Sequence, residues 1–390
     1  MKYELASSSW DNKEIEAIQR VIEGDYYSFS KNVFQFEDDF ARYTMHKYCV
    51  MVNSGSSANL LAVAAMMYKK ENPLKRGDEV IVPAVSWATT YYPLYQYGLK
   101  LKFVDIDIKT LNFDLSELKK AITDKTKMIF AVNLLGNSND YDKIKQIIGN
   151  RKIYLLEDNC ESLGGEYKGI PLGSLGLMGT YSTFFSHHIS TMEGGMIATD
   201  DEELYHILLC LRSHGWTRQL PLNNKLCVKT DNHFEESWRF LLPGYNVRPV
   251  EMMGAIGIEQ LKKLPGFIQH RRENAEYFKT LFENDSRFII QHETAGGKSS
   301  WFGFSLLITP GSGLERSKII DALTKAEIET RPIVAGNFAR KEVVRYFDYE
   351  ICGTLENADY IDKNGFFIGN HHYNIKDKLD YLKDTLKNFD

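Results

Sequence analysis

The segment Cys49-Val50-Met51-Val52-Asn53-Ser54-Gly55-Ser56-Ser57-Ala58 joins an apolar strand to a helix through a turn of small residues. The run 49–53 reads as a buried strand, and 58–68 has strong helical periodicity. At such a junction the free amides of the helix N-terminus and the positive end of its dipole favour an anion, usually phosphate. A serine that simply caps an ordinary helix has the same pattern, so the motif alone leaves both interpretations open.

The chain around this segment alternates between short apolar runs and helical patterns. We predict strands at 79–82, 101–104, 128–132, 153–156, 180–185, 194–198, 300–307 and 327–332. We predict helices at 10–23, 58–68, 115–122, 141–148, 202–211, 250–262 and 266–284, with a loop at 221–232. This alternation is typical of an α/β fold with buried, mostly parallel strands. We expect a large domain at 1–264, including an N-terminal arm, and a smaller C-terminal α/β domain at 265–390.

Composition excludes several classes of protein. The chain has 390 residues and a net charge of −5, so it lacks the basic excess that nucleic-acid binding requires. Its apolar stretches are too short to span a bilayer, and its first residues do not resemble a secretory signal. Five scattered cysteines argue against a disulfide framework, a zinc knuckle or an iron–sulfur cluster: Cys49, Cys160, Cys210, Cys227 and Cys352. We expect a reduced, cytoplasmic enzyme with no metal and no membrane or nucleic-acid partner.

A second motif ends a predicted strand in acidic residues, Leu155-Leu156-Glu157-Asp158-Asn159-Cys160-Glu161. Carboxylates in this position lie at the carboxyl edge of the sheet, where α/β proteins bind ligands. A buried aspartate there could hold a protonated heterocyclic nitrogen by a charge-assisted hydrogen bond. Two solvated loop carboxylates are an equally good interpretation of the pattern.

A third motif places His187 and His188 between an aromatic strand and the pair Gly194-Gly195. A metal site would need a further ligand cluster at suitable spacing, and none is evident. A general base is the better interpretation, because unperturbed imidazole titrates near pH 6.5.

The ordered set of motifs resembles the sugar aminotransferase family of pyridoxal-phosphate enzymes (the DegT/DnrJ/EryC1 group) over nearly the whole chain. The resemblance implies the fold type I (aspartate aminotransferase-like) architecture and a homodimer. It also implies a cofactor site in which the phosphate is held by Ser54, Gly55, Ser56, Ser57, Ser182 and, across the dimer interface, Asn246. By the same resemblance Trp87 stacks on the cofactor ring, Asp158 pairs with its pyridinium nitrogen, and Glu161 approaches its ring hydroxyl.

One position departs from the family pattern. His187 lies five residues after Ser182 and six before Glu193, where the family has lysine, and no lysine occurs between Lys168 and Lys225. Imidazole cannot form the stable Schiff base that lysine forms. We therefore expect a cofactor that is not covalently bound, pyridoxamine 5'-phosphate alternating with pyridoxal 5'-phosphate, and His187 as the acid and base.

The replacement of lysine by histidine resembles the pattern of a lysine-less branch of the family. This resemblance implies C3 dehydration of GDP-4-keto-6-deoxy-D-mannose to GDP-4-keto-3,6-dideoxy-D-mannose. It also implies that ammonia is released and that L-glutamate re-aminates the cofactor. A related branch uses an iron–sulfur cluster and a reductase partner, which the scattered cysteines disfavour. A nucleotide-sugar aminotransferase and an inactive nucleotide-sugar-binding homologue remain alternatives.

Two further residues are candidates for substrate binding. His214 could line the site or belong to a structural loop, and Arg331 could meet substrate phosphates or be an ordinary surface arginine. The sequence does not indicate which residues hold the nucleotide base.

Overall fold

The computed structural model describes residues 1–389, and its elements follow the predicted alternation closely. The helices are α1 (Asn12–Glu23), α2 (Lys31–Tyr43), α3 (Gly55–Tyr68), α4 (Ala88–Gln96), α5 (Leu115–Ala121), α6 (Tyr141–Ile148), α7 (Glu202–Arg212), α8 (His233–Glu236), α9 (Glu251–Phe282), α10 (Arg316–Lys325), α11 (Glu356–Asn364) and α12 (Lys376–Leu386). The strands are β1 (Tyr48–Val52), β2 (Glu79–Pro83), β3 (Lys100–Val104), β4 (Thr126–Val132), β5 (Tyr154–Asp158), β6 (Glu166–Tyr167), β7 (Ile170–Pro171), β8 (Met178–Ser182), β9 (Gly195–Thr199), β10 (Phe288–Ile290), β11 (Gly297–Lys298), β12 (Gly303–Ile308), β13 (Thr330–Arg331), β14 (Tyr349–Cys352) and β15 (Gly365–Gly369).

An eight-stranded sheet with the order β1-β9-β8-β5-β4-β2-β3-β14 forms the centre of the molecule. Five of its neighbouring pairs are parallel, whereas β9 runs antiparallel to both of its neighbours. Helices cover both faces: Val80 and Val82 of β2 share a core with α3, and Ile81 shares another with α5 and α6. Because both faces are buried, the strands read as continuous apolar runs. The predicted α/β architecture with a mostly parallel sheet is confirmed.

A second, antiparallel sheet with the order β10-β12-β15-β13 uses residues from the C-terminal part of the chain. It packs with α9, α10 and α12 around a separate core that includes Phe278, Phe304 and Leu379. However, β14 leaves this unit and pairs with β3 at the edge of the large sheet. The division at residue 264 stays a prediction. Among the described residues, none of the helices combines the length and apolar character needed to cross a bilayer.

The prediction of two helices at 250–262 and 266–284 is wrong, because α9 is continuous from Glu251 to Phe282. The interval between the two predicted helices contains Pro265, which cannot donate a backbone hydrogen bond inside a helix. Leu264 and Ile268 are both buried in one core on either side of this proline. Their packing keeps the two halves in a single helix. The predicted strand at 327–332 is also shorter than expected, since β13 covers only Thr330–Arg331.

Candidate active site

The carboxyl ends of β1, β5 and β8 meet at one edge of the large sheet. Ser54 follows β1, Asp158 ends β5 and Ser182 ends β8. Gly195, the first residue of the antiparallel β9, is paired with both Val52 and Ser182. Three of the sequence motifs are therefore brought together by the topology of the sheet.

The turn before α3 is built to receive an anion. The Ser54 side chain accepts a hydrogen bond from the Ser57 amide (3.1 Å), and the Ser57 hydroxyl donates to Asn53 Oδ1 (2.6 Å). These bonds hold the turn in place and leave the amides of Gly55 and Ser56, which have no acceptor within their own helix, for a ligand. A Cβ atom on Gly55 would lie 2.6 Å from Ser182 Cβ, so glycine allows the helix to start directly against Ser182.

We expect Gly195→Ala to weaken cofactor binding by about fivefold to 150-fold. A Cβ atom at this position would lie 2.2 Å from the Ser54 carbonyl oxygen and 2.7 Å from the Gly55 amide nitrogen, both rigid backbone atoms. Overpacking of this kind costs about 1–3 kcal/mol and would displace the turn. Titration of the apoprotein with pyridoxal phosphate measures the effect. Gly266→Ala is the matched control, because no atom lies within 4 Å of its added Cβ. Equal affinities for the two variants would contradict the role of this turn.

Asp158 is a buried carboxylate held by three neutral donors. Its Oδ2 accepts from Asn59 Nδ2 and from the Thr90 hydroxyl, each at 2.8 Å, and its Oδ1 accepts from the Cys160 amide at 3.1 Å. Thr180 donates to Asn59 Oδ1 (2.6 Å), which sets the amide so that its nitrogen faces the aspartate. The carboxylate is thus oriented but its charge is not neutralised by these partners. Such a group is suited to bind a cationic N–H.

Glu161 lies three residues further along and accepts a hydrogen bond from the Leu135 amide (3.0 Å). Burial, with a smaller contribution from Asp158, raises the pKa of Glu161 to about 7. The carboxyl group can therefore act as donor or acceptor at neutral pH. Trp87 precedes α4 and is 58% exposed, which leaves its indole face open to a ligand.

His187 lies in the turn after β8, and its amide donates to the Phe184 carbonyl (2.9 Å). Its ring centroid is 5.2 Å from that of Phe302, and its Nδ1 is buried with no hydrogen-bond partner in residues 1–389. Burial, assisted by the Arg271 guanidinium, lowers the pKa of His187 to about 4. The imidazole is therefore neutral at physiological pH and able to accept a proton. Because Nδ1 is buried, Nε2 is the ring nitrogen that can exchange a proton with a ligand.

The ring of His188, the next residue, is held by a hydrogen bond to the backbone, unlike that of His187. Its Nε2 lies 3.2 Å from the Ser300 carbonyl oxygen and must donate to it, because a carbonyl only accepts. The ring is fully buried, and burial lowers the pKa of His188 well below its usual value. His188 is thus held in one tautomer by backbone, which leaves His187 as the better acid–base candidate. No group of three or more potential metal ligands occurs within the described part of the chain.

The remaining predicted residues lie in two places. Asn246 is exposed and accepts from Arg248 Nε (3.0 Å), while the neighbouring Val247 carbonyl accepts from the Asn53 amide (3.0 Å). His214 donates its amide to the Tyr245 carbonyl (2.6 Å), so it lies beside the Asn246 segment. Arg331 is exposed in β13, and no contact within residues 1–389 joins it to the other candidates. The roles of these three residues remain predictions.

Sequence reasoning missed the residues that orient the site. Asn59 and Thr90 hold Asp158, and Phe302 packs against His187. A signal exists for the first two: Asn59 interrupts an otherwise apolar helix, and Thr90 follows Trp87 by one helical turn. Phe302 lies 115 residues from His187 in the chain and has no local signal.

The anion-binding turn and the oriented buried aspartate at the edge of a mostly parallel sheet are the elements expected of a pyridoxal-phosphate enzyme of the aminotransferase class, and His187 lies where that class has lysine. The chain belongs to the DegT/DnrJ/EryC1/StrS aminotransferase family, whose model matches residues 8–387. The family assignment made from the motifs is confirmed.

Similar proteins include GDP-4-keto-6-deoxy-D-mannose 3-dehydratase of Escherichia coli O55:H7, which is 57% identical over 389 residues, or 99% of this chain and 100% of the relative. Two solved structures of an enzyme with this activity superimpose with a TM-score of 0.97 at 57% identity, covering 99% of this chain and 100% of theirs. One is a histidine-to-asparagine variant with bound GDP-perosamine, and the other holds a trapped PLP–glutamate geminal diamine. A further structure of that enzyme replaces a histidine with lysine and a serine directly before it with asparagine, with a TM-score of 0.96 at 57% identity, covering 97% of this chain and 100% of its own.

Proposed function

We propose that this chain removes the C3 hydroxyl of GDP-4-keto-6-deoxy-D-mannose to form GDP-4-keto-3,6-dideoxy-D-mannose. The overall reaction consumes L-glutamate and yields 2-oxoglutarate and ammonia, which balances the two electrons gained by the sugar. The observation that carries the proposal is His187, a half-buried and neutral imidazole where the family has lysine. The full-length relative at 57% identity with this activity supports the same substrate.

The substitutions made in a solved structure of an enzyme with this activity support the assignment of His187. The pair altered there is a serine followed directly by a histidine. In the turn after β8, Ser186 precedes His187, whereas His188 is preceded by another histidine. This order supports His187 as the equivalent residue.

The residues present fit pyridoxamine phosphate. The amides of Gly55 and Ser56 and the Ser182 hydroxyl would hold its phosphate, Asp158 its pyridinium N–H, and Trp87 its ring face. When bound, the cofactor supplies an amine that condenses with the sugar ketone and a ring that stores the electron pair released by proton removal. Glu161, with a pKa near 7, can donate a hydrogen bond to the ring oxygen.

His187 would perform both proton transfers. In the neutral tautomer that carries its proton on Nδ1, Nε2 would accept a proton from the C4′ carbon of the bound cofactor, and the imidazolium so formed would protonate the departing C3 hydroxyl. An imidazolium enclosed beside the Arg271 guanidinium is a stronger acid than one in water. Such a strong acid can protonate a hydroxyl, which is a poor leaving group until it is protonated.

We also propose a homodimer, a cytoplasmic location and the two-domain division at residue 264. Several large apolar side chains between residues 222 and 250 are exposed in the single chain, which favours a partner surface there. The five cysteines are free, as is usual in a reducing compartment.

Incubation with GDP-4-keto-6-deoxymannose, glutamate and cofactor tests the function. We expect one ammonia for each 3-deoxy sugar, and we expect borohydride to fix no cofactor to the chain. A 4-amino sugar without ammonia would identify an aminotransferase, and substrate binding without turnover would identify an inactive homologue. His187→Asn serves as the control for contaminating activity.

A further inference from the structure

The turn that carries His187 is fastened by side chains from two other parts of the fold. It covers residues 183–191, and we call it the histidine turn. The Ser190 amide donates to Gln260 Oε1 (3.0 Å), and the Ser190 carbonyl accepts from the Trp10 indole N–H (3.0 Å). Gln260 lies on α9, whereas Trp10 precedes α1. Both backbone polar groups of this buried serine are therefore held from outside the turn.

Gln260 is fully buried, and both ends of its amide are bonded. Its Oε1 also accepts from the Ser9 hydroxyl (2.6 Å), while its Nε2 donates to the Ser9 carbonyl (3.1 Å) and to Glu14 Oε1 (2.8 Å). Glu14 is fully buried as well and is paired with Lys263 at 2.6 Å. An amide with partners at both ends has one orientation, so its oxygen faces the histidine turn.

The segment that carries Trp10 is anchored further along. Tyr3 is fully buried in the core of the C-terminal sheet, and its hydroxyl donates to the Gly369 carbonyl (2.6 Å). The Ser7 hydroxyl is hydrogen-bonded to His371 Nδ1 at 2.8 Å. Because these contacts tie the segment to the C-terminal unit, the Trp10 indole is a fixed donor.

The side chain of His187 has no hydrogen bond of its own within residues 1–389. Its Nδ1 is buried without a partner, and its ring packs on Phe302 at a centroid distance of 5.2 Å. A catalytic histidine is often oriented by a hydrogen bond at its second ring nitrogen. In the absence of such a bond, the place of this imidazole is set by its backbone and by the ring it packs on.

We propose that Gln260 and Trp10 are positioning residues for His187, an inference that rests on the proposed function. They fix Ser190, three residues after the histidine, and the Ser300 carbonyl fixes the intervening His188. Together these bonds hold the imidazole against Phe302 and at one distance from the edge of the sheet. Proton transfer requires such precision, because a displacement of about 1 Å can lower a rate by about 10²-fold.

Gln260→Met and Trp10→Phe test the inference, since each removes one bond to Ser190 and keeps a side chain of similar shape. We expect each to lower kcat of dehydration by about tenfold to a hundredfold, with cofactor affinity within a few-fold of the wild-type value. Amide hydrogen exchange of the cofactor-loaded enzyme should be faster in peptides that cover 183–191. Trp10 is only half-buried, so Trp10→Phe keeps the test valid if Gln260→Met does not fold.

Two matched controls remove similar bonds elsewhere. Gln291 is a buried glutamine that donates to the carbonyls of Thr110 (3.0 Å) and Leu134 (3.1 Å). Tyr381 is a half-buried aromatic residue whose hydroxyl donates to the Ala326 carbonyl (3.1 Å). We expect Gln291→Met and Tyr381→Phe to leave kcat and the exchange of the histidine turn unchanged.

The pKa of His187 distinguishes positioning from a general loss of stability. Burial lowers this pKa to about 4, and the charged or titratable groups that act on the ring within residues 1–389 are Arg271 on α9 and the adjacent His188. Both remain in the two variants. We expect the pKa to rise towards about 6.5 as a loosened turn admits water. NMR titration of ¹³C-labelled histidine measures it, and His187→Asn identifies the signal.

The outcomes separate this inference from the proposed reaction. Wild-type values of kcat, exchange and His187 pKa in Gln260→Met and Trp10→Phe would overturn the inference alone. A lower melting temperature as the sole change would also overturn it, because the bonds would then serve only the fold. Faster exchange and a raised His187 pKa in the variants, with no dehydration by the wild type, would overturn the proposed reaction and support the positioning of the histidine.

Discussion

Replacing His187 with asparagine is expected to lower the turnover of C3 dehydration by about 10²–10⁴-fold, the usual contribution of general acid–base catalysis. Asparagine retains the approximate size of the imidazole but cannot exchange a proton. The cofactor contacts proposed for Asp158 and Ser182 are untouched by this change. Cofactor affinity should therefore remain within a few-fold of the wild-type value while turnover falls.

The pH dependence provides a second measurement on the same residue. Burial lowers the pKa of His187 to about 4, so the neutral base is present above that pH and lost as the pH falls through it. The profile is measured in the Glu161→Gln background, because the pKa of Glu161 is raised to about 7 and its titration would overlap. There we expect kcat/KM to stay level through pH 6.5 and to decline only as the pH approaches 4. A limb centred near 6.5 in that background would mean that a different, exposed histidine acts as the base.

His270→Asn is the control for the asparagine substitution. His270 is exposed, and its contact is with Glu273 on the same helix (3.3 Å). Turnover should be unchanged in this variant. Loss of activity in both variants, or in neither, would remove His187 from the mechanism.

The large sheet could be predicted from local pattern because its strands are buried on both faces. Strands such as β2 and β4 read as unbroken apolar runs, and short helical patterns separate several of them. In contrast, the residues of β14 are exposed or only partly buried, so the strand has no unbroken apolar run. It pairs with β3, about 250 residues earlier in the chain. No local pattern can indicate such a partner. The continuity of α9 through Pro265 likewise depends on tertiary packing, which overrides the local signal of a proline.

The sequence predicts which residues belong to the candidate site, but it does not predict how they are arranged in space. The sequence places Asp158 at a strand end and His187 after the next strand in the sheet, and the topology brings both to one edge. Their chemical states depend on distant groups: Thr90 on α4 donates to the aspartate, Phe302 packs against the histidine, and the charge of Arg271 helps to lower the pKa of that histidine. These partners are 68, 115 and 84 residues away in the chain, so they become evident only in the fold.

The second large effect is expected at Asp158, where asparagine should lower turnover by about 10²–10⁴-fold and weaken cofactor binding. The carboxylate accepts from Asn59 and Thr90 through Oδ2 and from the Cys160 amide through Oδ1. An amide in its place removes the negative charge that would keep a pyridinium nitrogen protonated, and its nitrogen would face a donor. Loss of one partner of a buried charge pair costs about 3–5 kcal/mol, which sets the size of the effect.

Asp105 provides a matched control because it is also a buried aspartate that accepts three hydrogen bonds. Its donors are the amides of Ile106, Asn357 and Ala358, at 2.8–2.9 Å, and they fix the start of α11 rather than the edge of the sheet. Asp105→Asn should lower the melting temperature yet leave turnover per folded molecule unchanged. Asp158→Asn should lower turnover per folded molecule in addition to any loss of stability, because its carboxylate lies where a cation is to be bound. Equal losses of turnover in the two variants would mean that Asp158 supports the fold and does not act on the cofactor.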